Sequence, residues 1–154
     1  MKKLLFILTL AFSFTVNAQS INDDKTSLTN FIKRMYNSAP FEGVKVIDDY
    51  DHQYFISVLS LEKGKYLNES TMNRVAQVKG QSQANIFFNG STISSDLVIK
   101  TTEDKSTDKP STAVETIESI KENAMGFVKS MELLTNFDNA DGKRMVFIFY
   151  KLMK

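Results

Sequence analysis

The chain of 154 residues contains no cysteine. That excludes disulfides, cysteine nucleophiles and thiolate-held metals. It also excludes a lipid-bearing cysteine, so the chain is not expected to be a lipoprotein. Histidine occurs once, at His52. No G-x-S-x-G elbow is present either, which leaves a Ser-His-Asp triad without its framework. Charge of one sign is scarce: 19 Lys and Arg stand against 18 Asp and Glu, with no basic block. Such a chain gives no electrostatic reason to bind nucleic acid or anionic lipid. Beyond the N-terminus no apolar run approaches the ~20 residues of a membrane span.

One apolar run is present, and it stands at the start. Lys2 and Lys3 form a basic region, Leu4 to Phe14 an apolar one, and Val16-Asn17-Ala18 a small-residue cleavage site. This is the pattern of a secretory signal peptide, residues 1–18, removed after Ala18. Loss of Lys2 and Lys3 takes the formal charge from +1 to −1. The remainder, 19–154, is expected to be a single domain held together by its core. Its expected location is the periplasm or the exterior of a bacterial cell.

The organising stretch runs from Asn68 to Thr101. Asn68 or Ser70 can cap a helix by accepting bonds from its first free N–H groups. Met72, Val75, Ala76, Gly80, Ala84 and Phe87 recur at helical spacing. Most of that stripe is small, which lets a helix axis lie close to a sheet. Asn89-Gly90 is expected to end the helix through a left-handed glycine. A strand follows, with Ile93, Leu97 and Ile99 pointing one way and Thr92, Ser94, Asp96 and Lys100 the other.

Around this unit the pattern predicts a first helix from Asp24 or Thr26 to Ser38, ended by Ala39-Pro40. Leu28, Phe31, Ile32, Met35 and Tyr36 form its apolar face. Two strands, Val44 to Tyr50 and Tyr54 to Leu61, are expected around a turn at residues 50–53. Thr112-x-x-Glu115 is a capping box that opens a third helix, broken at Gly126. A second hairpin, 127–137 with 144–152, turns at Asp138–Gly142. Each end has a helix, a glycine, a strand, an acidic turn and an aromatic strand. Two ordinary hairpins explain that better than a duplication.

The sum is an α+β fold: an antiparallel sheet of about five strands with three amphipathic helices, in the order α-ββ-α-β-α-ββ. The strand from Met145 to Tyr150 is apolar on both faces. Either helices cross to the second side or another protein covers it. Tyr54, Ile56, Val58, Val146, Ile148 and Tyr150 are therefore the candidate interaction face. Phe87, Phe88, Phe147 and Phe149 are the candidate lining of an apolar pocket.

From Arg74 to Thr101, and again from Glu122 to Leu152, the chain resembles the Lpp-twenty family of bacterial envelope proteins. The resemblance lies in a small-residue helix, RVAQVKGQSQANIFFNG, the strand STISSDLVIKT, and a later helix, ESIKENAMG, leading into FVKSMELLTNFDNADGKRMVFIFYKL. Relatives in that family include small outer-membrane lipoproteins and domains of flagellar assembly factors. The resemblance implies an α+β envelope domain concerned with assembly or adhesion. It implies no catalytic residues. This chain departs from the family in lacking a lipid-bearing cysteine and in having fewer alanines in the central helix.

Other constellations weigh less. His52 with Asp48, Asp49 and Asp51 has cation-binding residue types, but alternation puts Asp48 and Asp49 on opposite faces. Asp138 to Gly142 lacks calcium-loop spacing and reads as a turn. Ser60-x-x-Lys63 and Ser106-x-x-Lys109 lack the partner motifs of serine–lysine enzymes. Glu115, Glu118 and Glu122 lie on one side of the third helix, where paired carboxylates could hydrolyse glycans, though a charged solvent face explains them better. The reading expected from sequence is a non-catalytic, cofactor-free envelope protein that binds envelope proteins or itself. A carrier of a small apolar ligand comes second and a carboxylate-based glycan hydrolase third. No catalytic, cofactor or metal residue is assigned.

Overall fold

The computed structural model describes residues 16–49, 52–90, 98–100 and 112–153. The chain divides after Pro40 into two compact units, Met1–Pro40 and Phe41–Lys154.

The described part of the first unit is one helix, α1, Val16–Ser38. It begins eight residues before Asp24. Between Val16 and Asp24 there is neither glycine nor proline, so nothing stops the helix from extending upstream of that residue. Its end is where Pro40 requires it: Ala39 donates to the Met35 carbonyl at 3.0 Å, and Ser38 Oγ donates to the Arg34 carbonyl. Leu28, Ile32 and Tyr36, four residues apart, are its buried stripe.

The second unit is a five-stranded sheet with helices. Its strands are β1 (Gly43–Asp49), β2 (His52–Glu62), β3 (Val98–Lys100), β4 (Glu132–Asp138) and β5 (Arg144–Leu152), in the order β3-β1-β2-β5-β4. β1–β2, β2–β5 and β4–β5 pair antiparallel. β3 pairs parallel to β1, with Val46 opposite Val98. The sheet is thus mixed, which corrects the all-antiparallel expectation. The helix between β2 and β3 carries the chain past β2, so β3 joins on the far side of β1. Of the expected β3 pattern, Ile93 and Leu97 lie outside the described residues. Val98 joins the core, and Ile99 pairs with Ile47 on the opposite face.

The central helix, α2, spans Glu69–Gly90. Asn68 caps it: the Thr71 N–H donates to Asn68 Oδ1 at 2.8 Å. Met72, Ala76, Gly80, Ala84, Phe87 and Phe88 are its buried residues. The small-residue stripe does bring helix and sheet together. A Cβ built on Gly80 would fall 2.6 Å from Phe149 Cδ2. At the same place Ser57, fully buried on β2, donates from Oγ to the Gly80 carbonyl at 3.1 Å, with Gln83 Oε1 at 2.7 Å. Gly90 is the last helical residue but has no left-handed φ, so the expected cap is not the one used.

After β3 the expected third helix is two: α3, Thr112–Lys121, and α4, Ala124–Lys129. The break is at Glu122-Asn123, not at Gly126, which lies inside α4. Residues 127–129, expected as strand, are therefore helical. A short apolar run such as Ala124 to Val128 has no periodicity long enough to separate helix from strand. α2, α3 and α4 pack into one core on the Phe55 side of the sheet. In the β4–β5 turn Gly142 has φ +69°, and the Arg144 N–H donates to Asn139 Oδ1 at 3.1 Å. This is the positive φ that the turn reading requires.

Candidate interaction surfaces

The register puts Tyr54, Ile56 and Val58 on the same face as Tyr150, Ile148 and Val146. All six are between 0 and 9% exposed. β2 and β5 are interior strands of the sheet, each paired along both edges. A continuous apolar run is the signature of such a strand.

The four candidate pocket phenylalanines all belong to one buried core. Phe87 and Phe88 join Phe55 and Phe127 in a ring cluster, with Phe55 and Phe88 stacked at 4.9 Å and Phe127 edge-on to Phe55 at 5.6 Å. Centroid spacings of this size are those of packed rings. Phe149 lies under Gly80, and Phe147 is buried in the same core. Phe127 was missed because its segment reads as strand.

The polar candidates are also separated or engaged. Asp48 and Asp49 are neighbours on β1 and point to opposite faces. Asp48 accepts from Gln53 Nε2 at 3.4 Å, and His52 sits 5.9 Å from the Tyr54 ring. Asp51 lies outside the described residues. In Asp138–Gly142 the side chains serve the turn itself: Asp141 Oδ1 accepts from the Lys143 N–H at 2.7 Å. Ser60 and Lys63 have different partners. Ser60 Oγ donates to Glu42 and accepts from Arg144 Nε at 2.8 Å, while Lys63 pairs with Asp138 at 2.6 Å. Ser106 and Lys109 lie outside the described residues. Glu122 stands past the end of α3.

What the structure brings together instead is apolar surface on the outer side of α2 and α4. Val78 and Met125 are each 67% exposed, and Ile86, two turns beyond Val78, is 66% exposed. Val78 and Met125 line one groove of about 500 Å³ with Gln81, Ser82, Asn85 and Lys129, over Val128. The sequence signal was faint. Val78 and Ile86 lie opposite the small-residue stripe, where a solvent-facing helix would carry polar residues.

No protein-family model matches the chain, and no curated protein or solved structure matches it.

Proposed function

We propose that this is an exported, non-catalytic protein of the bacterial envelope that acts by binding another protein through the outer face of α2 and α4. The observation that carries the reading is the Val78–Met125 pair. Two large apolar side chains, two-thirds exposed and rimmed by Gln81, Asn85 and Lys129, share one groove. Exposed apolar surface bounded by polar residues marks contact sites more often than free surface. The N-terminal signal pattern supports export. Among the described residues no helix is long and apolar enough to cross a membrane. The resemblance to the Lpp-twenty family, a pattern of helix and strand types, supports an assembly role.

The test is the double variant Val78→Asp/Met125→Asp. Both positions are exposed, so the fold should survive, as judged by circular dichroism and melting temperature. The tagged wild-type protein should recover a defined envelope protein, or a second copy of itself, that the variant does not. Equal recovery by both would remove the reading.

A further inference from the structure

Met125, the second residue of α4, is the one exposed methionine among the described residues. Met72 and Met131 are 4% exposed, inside the core, and Met35, Met145 and Met153 are half-buried. The chain has no cysteine, so no thiolate competes for an oxidant. The Met125 thioether, soft and polarisable, is then the sulfur that an oxidant meets first. The groove around it holds donors that a thioether leaves idle. Gln81, Asn85 and Lys129 line it together with Met125 and Val78. The Asn85 Oδ1 and carbonyl both accept from Asn89 Nδ2, at 2.9 Å each. The amide N–H pair of Asn85 and the Lys129 ammonium have no partner among the described residues. A thioether sulfur is a weak acceptor, whereas a sulfoxide oxygen is a polar group that such donors satisfy.

We propose that Met125 is an oxidation site that turns the α2–α4 groove from apolar to polar, with a hydroperoxide as the oxidant. The sulfur lone pair attacks the outer peroxide oxygen. The S–O bond forms as the O–O bond breaks. Sulfur loses two electrons and the peroxide gains them. The hydroperoxide's own proton passes to the leaving oxygen, which departs as water or an alcohol. The product, methionine sulfoxide, is polar where the thioether was apolar. Val78 then stands alone as the exposed apolar side chain of the groove, and docking there is lost. The change is reversible: a sulfoxide reductase removes the oxygen as water while two thiols become a disulfide. The loss of docking rests on the protein-binding reading; the oxidation site does not.

The experiment treats the purified protein with hydrogen peroxide and follows each methionine by peptide mass spectrometry. Met125 should gain its oxygen about tenfold faster than Met72 and Met131, as exposure controls the reaction. Methionine sulfoxide reductase with a dithiol should restore it, and the circular dichroism spectrum should not change. Equal rates at Met125 and the two buried methionines would overturn the site. In cells, capture from a photoreactive residue at 78 should fall several-fold after peroxide treatment. Met125→Leu, which forms no sulfoxide, should hold its own untreated level of capture. Capture that survives complete conversion of Met125, or that falls equally in Met125→Leu, would overturn the switch. No capture before any treatment would remove the protein-binding reading and the switch with it, while the peptide map alone decides the oxidation site.

Discussion

Gly80 lies directly on the ring of Phe149: an added Cβ would stand 2.6 Å from Cδ2, 3.1 Å from Cε2 and 3.3 Å from Cγ. The first of these is shorter than packed carbon atoms allow, and the buried ring cannot easily retreat. Glycine in mid-helix costs about 1 kcal/mol of propensity. Overpacking a filled core costs about 1–3 kcal/mol. The second effect exceeds the first. Gly80→Ala is therefore expected to destabilise the protein by about 1 kcal/mol in urea unfolding, and Phe149→Leu in the same chain should recover part of that loss. A more stable Gly80→Ala protein would mean that helix and sheet are not in this contact.

The start of α2 rests on one side chain. Asn68 Oδ1 accepts from the Thr71 N–H at 2.8 Å. Asn68→Ala should cost about 1 kcal/mol, with Asn68→Ser or Asn68→Asp nearly neutral, since those residues cap equally well. Thermal unfolding of the three variants checks the order.

These two features were legible in the sequence because they are local. A small residue every fourth position, and a short polar residue before a helical stripe, say the same thing in any fold. The stop at Ala39-Pro40 and the glycine of the 138–142 turn are of the same kind. The parallel pairing of β3 was not legible, because Val98 meets Val46 only through a crossover that leaves no mark on either strand. The apolar run of β5 leaves open whether helices of this chain or another protein cover its second face, since burial depends on distant parts of the chain. The α2–α4 groove was invisible for the same reason. It joins Val78 to Met125, a pair separated by dozens of residues.

The ring cluster should dominate core stability. Phe55 is fully buried and contacts Phe87, Phe88 and Phe127. Phe55→Ala is expected to cost about 3–5 kcal/mol, the range for a large ring removed from a packed core. A loss under 1 kcal/mol in chemical denaturation would show that the rings are not packed together.

The Glu62–Lys65 pair gives a pH signature. Its hydrogen bond, at 2.9 Å, and then its Coulomb attraction hold Glu62 below its ordinary 4.5 and Lys65 above its ordinary 10.5. A lowered carboxylate pKa adds stability above the ordinary value, lost as pH falls through the lowered one. A raised lysine pKa adds stability below the ordinary value, lost as pH rises through the raised one. Both side chains are open to solvent, so the effect on stability is small. The titration itself is the readout. Lys65→Met should move the Glu62 carboxyl, followed by NMR, upward toward 4.5. An unmoved midpoint would show that the pair does not form in solution.

The most direct test of the protein-binding account is photo-cross-linking in the cell from single positions of the exported protein. A photoreactive residue at 78 and another at 125 should each capture one and the same envelope protein, or each capture a second copy of this chain. The same residue at Lys143, in the exposed β4–β5 turn, should capture neither. No adduct from 78 or 125, or the same adducts from all three positions, would contradict the account.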